Sequence, residues 1–314
     1  MGAGLLAKVN IKNMKKTKQA IGIDLGGTRV KAVLVDENGK ILVEKIVATD
    51  DKDGQWKHSV KTVLSLISND LNHNDFVVGL SAPGIPNQNN SCIQFMPDRL
   101  LGIENFNWSE FLGMPVYVVN DAIAALAAEA RFGAAKNCQD AVMITIGTGV
   151  GGALLINGKI HQGAFQKAGH IGHMSVNENG DPDICGMPGS LEEAIGNYSI
   201  EKRSNGLFNS TAQLIGAFEM NDENAKTIWL KSVSSLAIAI ASIGNILSPE
   251  KIVLGGGITK AGSLLTNPLK EFLSSFEWKA GGKGMEIEIA HFGEHAGAIG
   301  AAAFALSVKE NNES

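Results

Sequence analysis

The stretch Gly22-Ile23-Asp24-Leu25-Gly26-Gly27-Thr28 gives the clearest indication of the fold. An apolar run over residues 20–25 carries a single acid, Asp24, and breaks into two glycines and a threonine before a second apolar run over residues 30–35. This pattern predicts two strands joined by a glycine turn, whose free N–H groups can bind phosphate oxygens. Asp24 at the strand end can hold Mg2+, directly or through water, although a hydrogen-bonded aspartate in an ordinary tight turn fits the same pattern.

The same design recurs later in the chain. Residues 141–146 form an apolar run that leads into Gly147-Thr148-Gly149-Val150-Gly151-Gly152, and residues 153–156 end at an Asn-Gly pair. The first copy also has such a pair, Asn38-Gly39, and this dipeptide favours a two-residue hairpin. We therefore predict two related α/β domains, each offering a phosphate-binding turn to a shared cleft.

Composition argues against several classes of protein. The chain has 314 residues, a net charge of -5 and a hydrophobic fraction of 44%, as expected of a soluble protein of about two domains. The acidic balance predicts no nucleic-acid partner. The three scattered cysteines suit a reducing cytosol, and the short apolar stretch near the N-terminus does not fit an export signal. We expect a flexible leader over residues 1–19 and a cytoplasmic protein.

Periodicity predicts the remaining elements. Residues 228–247 form the longest apolar segment, and their helical spacing predicts a buried core helix rather than a membrane span. The Asn- and Pro-rich residues 85–108 are predicted as loops. Further helices are predicted at residues 56–71, 122–132 and 295–308, and further strands at residues 76–80, 115–119, 251–254 and 285–290.

Together these motifs resemble the ROK family of sugar kinases and sugar-responsive repressors. The matching features are residues 21–28, Pro83-Gly84, Asn120-Asp121 and residues 147–152, 168–173, 189–192 and 255–257. The resemblance extends over essentially the whole chain from residue 20. It implies an actin-like ATPase fold, also called ribonuclease H-like, with two α/β domains around a central cleft. The small domain would comprise residues 20–120 with a returning helix over residues 297–314, and the large domain residues 121–296.

The resemblance implies ATP as a substrate, with Mg2+. Each glycine turn taken alone could be an ordinary turn between strands, and only their joint pattern indicates a nucleotide. The residues implied to bind ATP are Asp24, Gly26, Gly27, Thr28, Gly147, Thr148, Gly149, Gly256 and Gly257.

Asp121 is the predicted catalytic base. Phosphoryl transfer relies on positioning and charge neutralisation, with one residue accepting the hydroxyl proton. Asp121 follows a predicted strand and begins a predicted helix, where the helix dipole favours a carboxylate. Its alternative role is to cap that helix.

The sugar side departs from the family pattern at one position. The residues implied to contact sugar are Gly84, Asn120, His170, His173 and Glu192. His170 stands where most members carry a glutamate, in a motif that reads His-Ile-Gly-His here. Some bacterial N-acetylmannosamine kinases have the same motif, whereas glucose is the commonest substrate in the family. Both sugars remain open, as does a hydrogen-bonded loop histidine.

A second departure concerns zinc. The family's zinc loop reads Cys-x-Cys-Gly-x-x-Gly-Cys and takes a fourth ligand from the preceding histidine. In this chain Asp183 and Ser190 replace two of the thiolates, which leaves His173 and Cys185 as good ligands. A closed structural site needs four ligands, so we predict no structural zinc and a small buried role for Cys185.

Three function classes follow. The first is an ATP-dependent sugar kinase acting on a hexose hydroxyl, at C6. The second is a sugar-sensing repressor of the same family, which the short leader and acidic balance disfavour. The third is an actin-like structural ATPase, which would leave the sugar motifs unexplained. We expect the kinase, with sugar and ATP as partners and no membrane. Dimers are common in the family, but this sequence leaves the oligomeric state open.

Overall fold

A computed structural model describes residues 19–49, 54–69, 76–97 and 99–313 of the chain. The strands are β1 (Gln19–Leu25), β2 (Arg29–Val35), β3 (Ile41–Ala48), β4 (Phe76–Ala82), β5 (Ile85–Pro86), β6 (Ile93–Phe95), β7 (Val116–Asn120), β8 (Ala141–Ile146), β9 (Val150–Ile156), β10 (Lys159–His161), β11 (Lys251–Gly255) and β12 (Glu286–Ile289). The α-helices are α1 (Trp56–Ser68), α2 (Trp108–Leu112), α3 (Asp121–Phe132), α4 (Leu191–Ile195), α5 (Ile200–Arg203), α6 (Thr211–Glu219), α7 (Glu223–Leu247), α8 (Ser263–Phe276) and α9 (Ala296–Glu313).

Two five-stranded sheets share one topology. The first has the order β3-β2-β1-β4-β7 and the second β10-β9-β8-β11-β12. In each sheet, three antiparallel strands joined by hairpins are followed by two strands that run parallel to the first. This repeat confirms the predicted α/β class and the internal duplication. Parallel strands end at the same edge of a sheet, so Asp24 in β1 and Asn120 in β7 lie at one edge.

α9 lies unusually close to the first sheet. Gly22 in β1 and Gly79 in β4 are neighbours in register. A Cβ atom at either glycine would overlap the α9 backbone, at the carbonyl oxygen of Ala298 or of Ala301. Gly300 makes a similar approach to the carbonyl oxygen of Ala124 in α3. Glycine is therefore required at these positions so that α9 can pack against both the sheet and α3.

Each sheet has its own core. α1 packs on the first sheet, and its first residue, Trp56, contacts Trp108 of α2, with ring centroids 5.4 Å apart. α7 packs on the second, and its Trp229, Leu236 and Ile240 are fully buried, which confirms the predicted core helix. By length and composition alone, α7 is also the one helix of the described residues that could cross a membrane, and 44% of its most apolar window is buried.

Several predicted boundaries were wrong. Residues 85–108 are not all loop, because β5 and β6 pair as a small hairpin and α2 begins at Trp108, where the Asn107 side chain caps it. α3 begins at Asp121 because Asn120 takes the cap position. α9 continues past residue 308 to Glu313, aided by an ion pair of Arg131 with Glu310. α1 ends at Ser68, and the rest of its predicted span past residue 69 lies outside the described residues, as does the leader up to residue 18.

We expect Gly79→Ala to destabilise the protein by about 1–3 kcal/mol, because the added methyl group meets backbone atoms of α9 that cannot rotate away. Chemical denaturation measures the free energy of unfolding. The control is Gly216→Ala in α6, where the added Cβ meets nothing within 4 Å and should stabilise the helix by up to about 1 kcal/mol. Equal stability of the two variants would contradict the packing described for α9.

Candidate functional site

The first glycine turn is held by hydrogen bonds at its base. The Gly26 N–H donates to the carbonyl oxygen of Arg29 at 3.1 Å, and the Thr49 hydroxyl donates to the carbonyl oxygen of Gly26 at 2.7 Å. Gly27 and Thr28, at the tip, are exposed. The structure therefore presents the predicted turn residues on a fixed frame, as a phosphate-binding turn requires.

The second and third glycine turns meet each other. The Gly147 N–H donates to the carbonyl oxygen of Gly149 at 2.9 Å. A Cβ atom on Gly147 would lie 4.0 Å from the nitrogen of Gly257. Gly256 has φ +89° and abuts the backbone of Ile146, so only glycine fits there. The sequence predicted these turns, and the structure brings them together.

A cavity of about 650 Å3 opens between these two turns and α6. Besides Gly147, Thr148 and Gly257, it is lined by Asn197, Thr211, Ile215, Glu219 and Lys260. The buried hydroxyl oxygen of Thr211 has no hydrogen-bond partner among the described residues. Sequence reasoning missed the α6 residues, because an amphipathic helix carries no motif that marks which residues line a pocket.

Asp24 is a half-buried carboxylate at the first turn. It packs against the start of α9, where a Cβ atom on Gly297 would lie 2.6 Å from Oδ1. Burial, followed by the negative charge of Asp121, raises the pKa of Asp24 to about 6. Among the described residues, no Lys, Arg or His nitrogen lies within ion-pair distance of this carboxylate. A divalent cation would supply the missing positive charge, so the site fits the predicted Mg2+.

Asp121 is the first residue of α3, and part of its surface is exposed. The N-cap is Asn120, whose side chain accepts from the Ala122 N–H at 2.9 Å, so Asp121 is not needed for the cap. Desolvation by the surrounding protein raises the pKa of Asp121, while the Ala122 N–H and the charges of Arg99 and His170 oppose this rise. We call the space bordered by Asp24, Asp121, Arg99 and His170 the cleft.

Arg99 is a cleft residue that sequence reasoning missed. Its Nη2 lies 3.3 Å from the position that a Cβ atom on Gly27 would occupy. The guanidinium is therefore above the first glycine turn, and its charge also acts on Asp121. The residue stands in an irregular segment without a recognisable motif, so only the tertiary structure reveals its place.

Hydrogen bonds hold several of the predicted sugar residues in place. The Asn120 side chain donates from Nδ2 to the carbonyl oxygen of Gly84 at 2.9 Å, and Gly84 has φ +104°. Oε2 of Glu192 accepts from the Val150 N–H at 2.9 Å. Glu192 is thereby tied to the second glycine turn, a connection that the sequence did not indicate.

His170 and His173 stack with ring centroids 6.5 Å apart and an interplanar angle of 13°. Nδ1 of His170 lies 3.0 Å from the carbonyl oxygen of Lys167, which can only accept. Nδ1 therefore carries the proton, and Nε2 is an acceptor in the neutral ring. Burial lowers the pKa of His170, which favours this neutral form. His170 thus keeps the accepting character of the glutamate it replaces, without the charge.

The loop that contains Asp183 and Cys185 is closed by hydrogen bonds. His173, Asp183 and Cys185 have ligand atoms within 4.8 Å of one another. Oδ2 of Asp183 is already bonded to Nδ1 of His173 at 2.8 Å, and Oδ1 to two backbone N–H groups. Desolvation opposes ionisation, but these donors hold the pKa of Asp183 below its ordinary value. The donor set does not fit a closed four-ligand zinc site. The predicted burial of Cys185 was wrong, because the tight turn after Asp183 directs it to solvent.

Known proteins match this chain over nearly its full length. The pattern that defines the ROK family matches residues 20–308. A glucokinase of Halalkalibacterium halodurans is 30% identical over 89% of this chain and 92% of its own length. An N-acetylmannosamine kinase of Haemophilus influenzae is 29% identical over 90% and 94%. The crystal structure of a ROK family glucokinase from Streptomyces griseus, in complex with glucose and AMPPNP, is 26% identical with a TM-score of 0.76, over 92% of this chain and 99% of that one.

We expect Asp24→Asn to stabilise the protein at pH 8. The pKa of this carboxylate is higher in the folded state than in the unfolded state. The protein is therefore most stable below the unfolded pKa, and its free energy of unfolding falls by up to about 3 kcal/mol as pH rises through about 6. Removing the charge should recover much of this loss at pH 8 and less at pH 5, measured by urea unfolding. Glu294→Gln, which removes a carboxylate paired with Arg29 at 2.8 Å, should give no such gain.

Proposed function

The chain belongs to the ROK family, and on this premise we propose that it is a sugar kinase that transfers the γ-phosphoryl group of ATP to a hexose hydroxyl, at C6. The relatives named glucokinase and N-acetylmannosamine kinase support this activity, as does the glucokinase structure with glucose and AMPPNP. The observation that carries the proposal is Asp121, a carboxylate of raised pKa between the first glycine turn and the sugar residues.

ATP would extend across the cleft from one domain to the other. The adenosine would occupy the cavity of about 650 Å3 beside Gly256 and Gly257. The phosphates would reach the turns at Gly26, Gly27 and Thr28 and at residues 147–149. Asp24 would hold Mg2+, directly or through water, and Mg2+ neutralises charge on the phosphates when bound.

Asp121 would accept the proton of the sugar hydroxyl as that oxygen attacks the γ-phosphorus. A base must be unprotonated to act, so a raised pKa moves the acid limb of the pH–rate profile above that of an ordinary aspartate. Activity would fall as pH decreases through this pKa. The nearby positive charge of Arg99 opposes this rise in pKa and favours the carboxylate form that a base needs.

Arg99 would bind the phosphoryl group during transfer. The guanidinium lies above Gly27 on one side and acts on Asp121 on the other, so the migrating group would pass beside it. Negative charge spreads over the equatorial oxygens in such a reaction, and a planar guanidinium bonds two of them at once.

The sugar is glucose or N-acetylmannosamine, and an observation supports each. The glucokinase relative and the ROK family glucokinase structure in complex with glucose support glucose, and the N-acetylmannosamine kinase relative supports the other sugar at nearly the same identity. His170 presents a neutral acceptor where a carboxylate is usual, which suits an uncharged acetamido group as well as a hydroxyl. Asn120, His173 and Glu192 would bind the remaining hydroxyl groups in either case.

We further propose that the two domains move relative to each other. The small domain of residues 20–120 and 297–314 would close on the large domain of residues 121–296 when sugar binds. We also propose a cytoplasmic protein, without structural zinc, that forms a homodimer. Small-angle scattering with and without sugar measures the closure, and analytical ultracentrifugation measures the oligomeric state.

A panel of hexoses and N-acetylhexosamines, each with Mg-ATP in a coupled ADP-release assay, tests the function. We expect turnover with glucose or N-acetylmannosamine. Asp121→Asn should keep nucleotide and sugar binding by calorimetry and lose about 100- to 10,000-fold in kcat, because the amide cannot accept the proton. Absence of turnover on every sugar by the unaltered protein would refute the proposal, and retained activity of Asp121→Asn would refute the assigned base.

We expect Arg99→Ala to lower kcat by about 100- to 1,000-fold, with small changes in the KM of sugar, because the lost charge matters most in the transition state. Arg99→Lys should recover part of this loss. The control is Arg131→Ala, which removes an arginine of α3 that pairs with Glu310 away from the cleft and should leave kcat unchanged. A kcat of Arg99→Ala equal to that of the control would contradict this role.

A further inference from the structure

The loop beside the sugar residues is organised around one enclosed carboxylate. The Asp183 side chain has no exposed surface. Its Oδ2 accepts from Nδ1 of His173 at 2.8 Å, and its Oδ1 accepts from the backbone N–H groups of Cys185 and Met187 at 2.8 and 3.0 Å. Three donors compensate for the removal of this carboxylate from water. They also join His173 to a turn that lies ten residues later in the chain.

Ser190, at the other departure from the zinc pattern, has a structural task of its own. It is fully buried, and its hydroxyl oxygen accepts from the Glu193 N–H as the N-cap of α4. α4 carries Glu192, which is bonded to the second glycine turn. The two residues that replace thiolates therefore each fix one residue of the sugar site. Asp183 fixes His173 through a hydrogen bond between their side chains, and Ser190 fixes Glu192 by capping the helix that carries it.

We propose that Asp183 is a positioning residue that holds His173 for sugar binding, so that this chain binds its sugar without a structural metal. The inference rests on the proposed function, because it takes the sugar as the ligand of His173. It goes further in naming what replaces the metal. A carboxylate–histidine hydrogen bond fixes both the orientation of the ring and the nitrogen that carries the proton.

The direction of the hydrogen bond decides what His173 can do. A carboxylate accepts only, so Nδ1 must carry a proton, and in the neutral ring Nε2 keeps its lone pair. Nε2 lies 3.7 Å from the thiol sulfur of Cys185, a weak donor that a sugar hydroxyl would replace. His170 has the same tautomer for a different reason, namely the Lys167 carbonyl oxygen. The stacked pair therefore presents two acceptors, which suit two hydroxyl or amide donors.

Asp183→Asn tests this directly, because asparagine has the shape of aspartate but its amide can also donate a hydrogen bond. The amide NH2 favours a His173 ring protonated on Nε2 instead, which turns the acceptor into a donor. We expect the KM of the sugar to rise about 10- to 100-fold, with the KM of ATP unchanged. In 15N NMR spectra of the sugar-free protein, His173 should be protonated on Nδ1, and on Nε2 in the variant.

The matched control is Asp181→Asn in the same loop. The Asp181 side chain is 70% exposed and pairs with Lys202 at 3.0 Å, so it has no part in holding His173. This variant should keep the KM of the sugar and the NMR signature of His173. A shared effect of both variants would mean that the loop as a whole, rather than the bond to His173, matters.

Metal analysis gives a second and independent measurement. The purified protein should hold far less than one zinc per chain, and treatment with a chelator followed by restored Mg2+ should leave the KM of the sugar unchanged. The double variant Asp183→Cys with Ser190→Cys restores the family's ligand pattern, so it should take up about one zinc per chain. Sugar binding by this double variant should then be sensitive to the chelator.

Three results would overturn the inference: an unchanged KM of the sugar in Asp183→Asn, a His173 protonated on Nε2 in the unaltered protein, or one tightly held zinc whose removal weakens sugar binding. If Asp183→Asn does not fold, the NMR and metal measurements on the unaltered protein decide. If no sugar is turned over, the proposed function fails, whereas those two measurements still test Asp183 by itself.

Discussion

The close approach of α9 to the first sheet is the constraint on which the rest of the structure depends. Gly22 and Gly79 lie side by side in β1 and β4, and the α9 backbone rests on them where any Cβ would overlap. The contact fixes where α9 begins, and the start of α9 is where Gly297 meets the Asp24 carboxylate. Through Gly300, α9 also contacts α3, whose first residue is Asp121. One packing contact thus positions two cleft carboxylates.

This arrangement costs stability at the site itself. Asp24 and Asp121 both have raised pKa values. Burial and then the negative charge of Asp121 raise the pKa of Asp24, and desolvation by the surrounding protein raises that of Asp121. A protein selected only for stability would replace one of them. Their retention beside Arg99 and the first glycine turn is expected where a substrate and its metal bring compensating charge. In the proposed function, binding of the phosphates and a cation would recover the free energy lost in folding.

On the sugar side, the role proposed for Asp183 would replace a metal within one loop. A metal holds a histidine by coordinating one ring nitrogen, and Asp183 holds His173 by accepting a hydrogen bond from the same ring. The substitution requires a carboxylate that is enclosed and supplied with other donors, which the Cys185 and Met187 N–H groups provide. The bond also sets the tautomer, which a packing contact alone could not do.

The sequence by itself determined the doubled α/β design, the three glycine turns and most of the residues at the cleft, because strand patterns and glycine turns are local properties of the chain. It could not place Arg99 above Gly27, tie Glu192 to Val150, or find Thr211 at the cavity beside Gly147 and Gly257. From the sequence, Asp183 was only a residue in place of a zinc ligand, whereas in the structure its carboxylate is the centre of the loop. These decisions belong to the tertiary structure, because each depends on residues far apart in sequence that only the packed helices and sheets bring within contact distance.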